Sequence, residues 1–139
     1  VYSSGKHWNH GWLSGNSSNK ELALRGLPRS LNDLIWNDPS GTNSADALYK
    51  ALSFKSADAI YFITDGFPTI GETNTKTILE RTKRKNRNKA IINSVMVGLP
   101  GATIDRNGRV VFAPDARPKQ LYDFLHKLAE QNGGAYIGR

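Results

Sequence analysis

Not one of the 139 residues is cysteine, which rules out disulfides and thiolate-bound metals and leaves the compartment open. No apolar run approaches the ~20 residues that a helix needs to span a bilayer. The glycine signatures of nucleotide binding are missing too: Gly98 to Gly101 lacks the Lys-Ser/Thr pair of a phosphate loop. Ser3 and Ser4 stand in no nucleophile elbow and have no supporting base, so catalysis is not expected. His7 and His10 have no third ligand nearby, and His126 falls between core positions of a helix, which argues against zinc. Val1 opens without an initiator Met or a signal-peptide pattern, so the chain reads as an internal or truncated piece of something longer.

Acid is scarce relative to base. Nineteen Lys and Arg against 12 Asp and Glu give a net charge of +7, and the pI is near 9.8. Part of the excess is local: Arg81, Lys83, Arg84, Lys85, Arg87 and Lys89 fall within nine residues. A solvated helix end accounts for such a run, since cations favour the C-terminal dipole. The alternative is an anionic partner, RNA in particular, although no aromatic residue interleaves with these cations in the sequence. Hydrophobic content of 38% and a mean hydropathy of -0.50 describe a soluble globular chain, and the length suits one domain.

The residues that are present order themselves best beyond position 40. Asn43 or Ser44 caps a helix to about Leu52, with Ala47, Leu48 and Ala51 inward. Ala59 to Thr64 and Ala90 to Val97 read as buried parallel strands. Between them, Thr75 to Lys85 is a helix with a thin apolar face around Ile78 and Leu79. In the helix Pro118 to Gln131, Leu121, Phe124, Leu125 and Leu128 follow the helical period, and Gly133 is placed as its C-cap. Ala135 to Ile137 is a short last strand. Thr103 to Phe112 alternates around Asn107-Gly108, a strong hairpin signal.

The first forty residues are less legible. Val1 to Ser4 and Trp8 to Leu13 are candidate strands, with Trp8 and Trp12 packed in the core. Glu21 to Arg25 is helical or extended, and Pro28 opens a helix carrying Leu31, Leu34 and Ile35. Asn16-Ser17-Ser18 fits a glycosylation acceptor pattern that is common by chance.

The order of elements predicts an α/β fold. It is Rossmann-like and three-layered: a mostly parallel open sheet with helices on both faces, plus a β-hairpin insertion at about 103–112. Ligands of such sheets sit outside the carboxyl ends of the strands. There, Asp65 ends an apolar strand in Thr64-Asp65-Gly66, and Gly41-Thr42-Asn43-Ser44 opens a helix. A carboxylate beside a loop hydroxyl is half of a divalent-cation site. Turn formation at Asp65 and helix capping at Thr42 are the plainer roles of the same residues.

Gly41-Thr42-Asn43, Asp46-Ala47-Leu48, Ile63 to Thr69, Ser94 to Gly98 and Phe124 to Gly134 together resemble a von Willebrand factor type A domain over about residues 40 to 139. The resemblance implies a non-enzymatic protein-interaction or adhesion module with a metal-ion-dependent adhesion site. In it Thr42 and Asp65 are Mg or Mn ligands, and an acidic side chain of a protein partner completes the shell. Gly41, Asn43, Gly66 and Phe67, around that site, are the expected partner-binding residues. The family's Asp-x-Ser-x-Ser motif appears nowhere in the chain. The metal site is therefore expected to be incomplete, and the chain to be a partial domain lacking the first strand of the fold. Nucleic-acid binding through residues 81–89 is the second reading. A small-molecule or nucleotide site in the same crevice is a third, by fold analogy only.

Overall fold

The computed structural model describes residues 12–25, 41–98, 102–112 and 118–138. The expectations at Val1 to Ser4, His7, Trp8, His10, and Pro28 to Ile35 lie outside these residues. Helix α1 spans 17–25, with Asn16 accepting from the Asn19 amide at 2.9 Å as its cap. This settles the ambiguous segment as helix. Residues 12 and 13 are irregular instead of strand. Trp12 is 66% exposed, not buried as expected, and meets only the edge of the Phe54 ring among described aromatics.

Beyond residue 41 the elements are α2 (Ser44–Ala51), β1 (Ala59–Thr64), α3 (Thr75–Lys85), β2 (Ile91–Met96), β3 (Ala102–Ile104), β4 (Val110–Phe112), α4 (Pro118–Gln131) and β5 (Tyr136–Gly138). β1, β2 and β5 form a parallel sheet in that order, with Ala59 opposite Ile91 and Ser94 opposite Tyr136. This is the Rossmann-like α/β class that the alternation of strands and helices predicts. β3 and β4 form the separate antiparallel hairpin. Its turn is longer than Asn107-Gly108 alone: the Asp105 carboxylate accepts from the amides of Asn107 (2.8 Å) and Arg109 (2.9 Å). Gly108 takes the left-handed conformation at φ 76°.

The core lies between the sheet and α2, α3 and α4. Ala45 and Leu48, Ile78 and Leu79, and Leu121, Phe124, Leu125 and Leu128 converge on Ile92. Ala51, expected inward, is half-buried, and Ala45 takes its place. A buried polar tie joins the layers: Ser94 Oγ donates to the Leu125 carbonyl at 2.7 Å. Because strand side chains alternate, only every second residue faces these helices. Ile60, Phe62, Ile92 and Tyr136 pack against the core, while Tyr61 and Ile63 are 67% and 63% exposed. Ile91 and Ile137 are exposed on the same side. Continuous apolar runs suggested strands buried on both faces; here one face carries the core.

The end of α4 illustrates how local sequence places a strand. The Gly134 amide donates to the Ala129 carbonyl at 2.9 Å and the Gly133 amide to that of Glu130 at 3.3 Å. With Gly133 at φ 67°, this is a Schellman cap. A Cβ on Gly134 would strike the Ile92 carbonyl, so glycine lets the chain pass against β2. Asn93 Oδ1 then accepts from the Ala135 amide at 3.0 Å and leads the chain into β5.

Candidate functional site at the carboxyl edge of the sheet

β1 ends at Thr64, whose buried hydroxyl accepts from the Gly66 amide (3.2 Å) and donates to the Gly66 carbonyl (3.0 Å). That closed turn carries Asp65 out into solvent. No partner holds the Asp65 carboxylate among the described residues.

The second loop is fixed from the other side. Thr69 Oγ1 accepts from the Thr42 amide at 2.8 Å, and the Thr42 carbonyl accepts from the Thr69 amide at 2.9 Å. Gly41, at φ 121°, lies so close that a Cβ there would strike Thr69 Oγ1. Asn43 caps α2: its Oδ1 accepts from the Asp46 amide at 3.2 Å, and its Nδ2 donates to the Asp46 carboxylate at 2.7 Å. Gly71, at φ 68°, leaves room for that Asn43 side chain. The segment 69–71 thus clasps residues 41–43 to the end of β1.

The two loops meet. A Cβ placed on Gly66 would lie 3.7 Å from Thr42 Oγ1, an ordinary contact, so the Thr42 hydroxyl borders the Asp65-Gly66 turn. The sequence marks Thr42, Asp65, Gly41, Asn43 and Gly66, and the fold brings them to one edge. Phe67 is half-buried and packs on the core. Thr69 and Gly71 are the residues that sequence reasoning missed. Their signal was weak, a polar loop rich in Gly, Pro and Thr whose partner lies 27 positions upstream.

For a bound cation the donors at this edge are one carboxylate and one hydroxyl. Among the described residues no three His, Cys, Asp or Glu side chains are grouped to hold a metal. Two hard oxygens suit Mg or Mn with water in the remaining positions, and do not make a closed cage.

The basic residues form a separate surface. Lys83, Arg84 and Lys85 occupy the last turn of α3, with Arg87 and Lys89 in the turn beyond, all exposed. Arg81 is partly neutralised by Glu72 at 3.8 Å. Sequence adjacency offered these cations no aromatic neighbour, but the fold supplies one: Lys85 Nζ lies 5.2 Å from the ring centroid of Tyr49 on α2. Burial raises the Tyr49 phenol above its ordinary value of 10.0, with Arg81 opposing and Glu72 and Asp46 adding to the rise. His126 is half-exposed beside Glu130 and the rings of Tyr122 and Tyr136. No helix among the described residues is long and apolar enough to cross a membrane.

No protein-family model matches the chain. A crystal structure of an aerotolerance-related membrane protein from Bacteroides fragilis, bearing multiple mutations to serine, is similar at a TM-score of 0.47 and 23% identity over 71% of this chain. The chain spans 52% of that protein's length. No residue's role is taken from that similarity.

Proposed function

We propose that the chain is a non-enzymatic protein-interaction module of the von Willebrand factor A type, which engages its partner at the carboxyl edge of the sheet. The observation that carries this reading is the meeting of the Thr42 loop with the Asp65-Gly66 turn, clasped by Thr69. Their hydroxyl and carboxylate would hold Mg or Mn, with a partner's acidic side chain among the remaining ligands. A bound cation would supply positive charge to attract that carboxylate. The chain's own part is to hold the Thr42 backbone in place and, among the described residues, to leave the Asp65 carboxylate unpaired.

Titration with Mn, read by the loss of its free-ion electron paramagnetic resonance signal, tests the reading. Weak binding competed by Mg is expected, abolished by Asp65→Ala and weakened by Thr42→Val. Binding that survives Asp65→Ala would place the cation elsewhere and remove the support for this edge.

A further inference from the structure

A cavity of about 360 Å³ opens between the end of α2 and the end of α3, lined by Tyr49, Leu52, Ser53, Arg84, Lys85 and Arg87. Three of its six lining residues are cations and none is acidic. Lone exposed cations on a helix are ordinary, but these surround a concavity with an aromatic and aliphatic wall. The Tyr49 ring and Leu52 both also pack against the core, so the wall is anchored.

The turn that carries Arg87 is built rigidly. The Asn86 side chain grips Ala90 twice, its Oδ1 accepting from the Ala90 amide at 2.8 Å and its Nδ2 donating to the Ala90 carbonyl at 2.8 Å. The same Nδ2 reaches Asn132 Oδ1 at 2.9 Å, fastening the turn to the cap of α4. Asn88 Nδ2 donates to the Lys55 carbonyl at 2.8 Å, which ties the turn to the loop after α2. Within it Lys89 is the sole described non-glycine residue at positive φ, 55°. Such a backbone costs free energy and persists only where its surroundings impose it.

We propose that this cavity and the basic turn dock a single-stranded polynucleotide. Arg84, Lys85 and Arg87 neutralise successive phosphates, and Tyr49 with Leu52 forms the wall against which a sugar or base packs. The site lies apart from the Thr42 and Asp65 edge and does not depend on a cation there. A polynucleotide fits better than an acidic peptide for two reasons. The charge continues past the cavity through Lys83 and Lys89, matching an evenly charged polymer. The wall also adjoins a cation, with Lys85 Nζ 5.2 Å from the Tyr49 ring centroid, as a base lies next to its own phosphate.

The test is fluorescence anisotropy with a labelled single-stranded RNA of about 20 nucleotides at about 50 mM salt, using the whole 139-residue chain. The variant R84Q/K85Q/R87Q is compared with R109Q/K119Q/K127Q, which removes the same charge elsewhere. All six positions are exposed, so both variants keep the fold, as circular dichroism checks. The first variant is expected to bind about ten-fold or more weakly, with a log–log salt slope shallower by about 2, while the control changes far less. Equal weakening by both variants would reduce the effect to net charge and overturn the proposal. So would the absence of binding by the unmodified chain, or equal displacement of the RNA by polyglutamate of matched charge.

Discussion

Single residues at the sheet edge and in the core carry distinct, separable effects. Gly41 combines a φ of 121° with contact against Thr69 Oγ1. Gly41→Ala is expected to cost about 1–3 kcal/mol in chemical denaturation, because it adds both backbone strain and a clash. Thr82 has the opposite sign. Its side chain is fully buried, and its hydroxyl finds no partner among the described residues. Thr82→Val keeps the shape and removes the unpaired group, so a gain of about 1 kcal/mol is expected. Tyr49 adds a pH effect. Its folded phenol is raised above 10.0, so above that pH the folded chain holds a proton that the unfolded chain has released. Stability is therefore complete below pH 10 and declines as pH rises through the folded value. Denaturation midpoints measured across the alkaline range should fall less steeply in Tyr49→Phe.

At the scale of elements, caps and close approaches decide more than propensity does. Asn74 caps α3 by accepting from the amides of Lys76 (3.0 Å) and Thr77 (3.2 Å). Asn74→Ala is expected to cost about 1 kcal/mol in thermal unfolding. β1, α3 and α4 are readable in the sequence to the residue, because each has a clear stop. Asn74 before α3 and Asn132-Gly133-Gly134 after α4 are such stops. The segment at 21–25 had no comparable signal, since Leu22 and Leu24 make no inward face and are exposed in the helix that forms. The hairpin turn was half legible: Asn107-Gly108 located it, but the Asp105 carboxylate that organises it was not marked. Tyr49 and Lys85 lie on different helices, and no local pattern joins them.

Among the described residues the molecule is one-sided around its sheet. Runs such as Ala59 to Thr64 hide this, since an apolar residue at every position does not say which parity packs. Phe62 and Ile63 test the arrangement because they are neighbours with opposite fates. Phe62→Lys sets a charge on the partly buried, core-facing side and should cost about 2 kcal/mol or more, while Ile63→Lys should stay within about 0.5 kcal/mol in a thermal melt. The same one-sidedness sets the position of the edge that carries Thr42 and Asp65. The helices brace one face of β1, its carboxyl end opens onto the Thr42 loop, and the basic cavity stands apart at the ends of α2 and α3.

Amide NMR with substoichiometric Mn decides whether Thr42 and Asp65 form one hard-cation edge. Paramagnetic broadening falls steeply with distance, so it maps the cation without any partner. Resonances at residues 42–46 and 64–70 should broaden first and recover on addition of excess Mg. Broadening centred instead on other carboxylates, such as Asp105 or Glu130, with the amides of Thr42 and Gly66 unaffected, would contradict it.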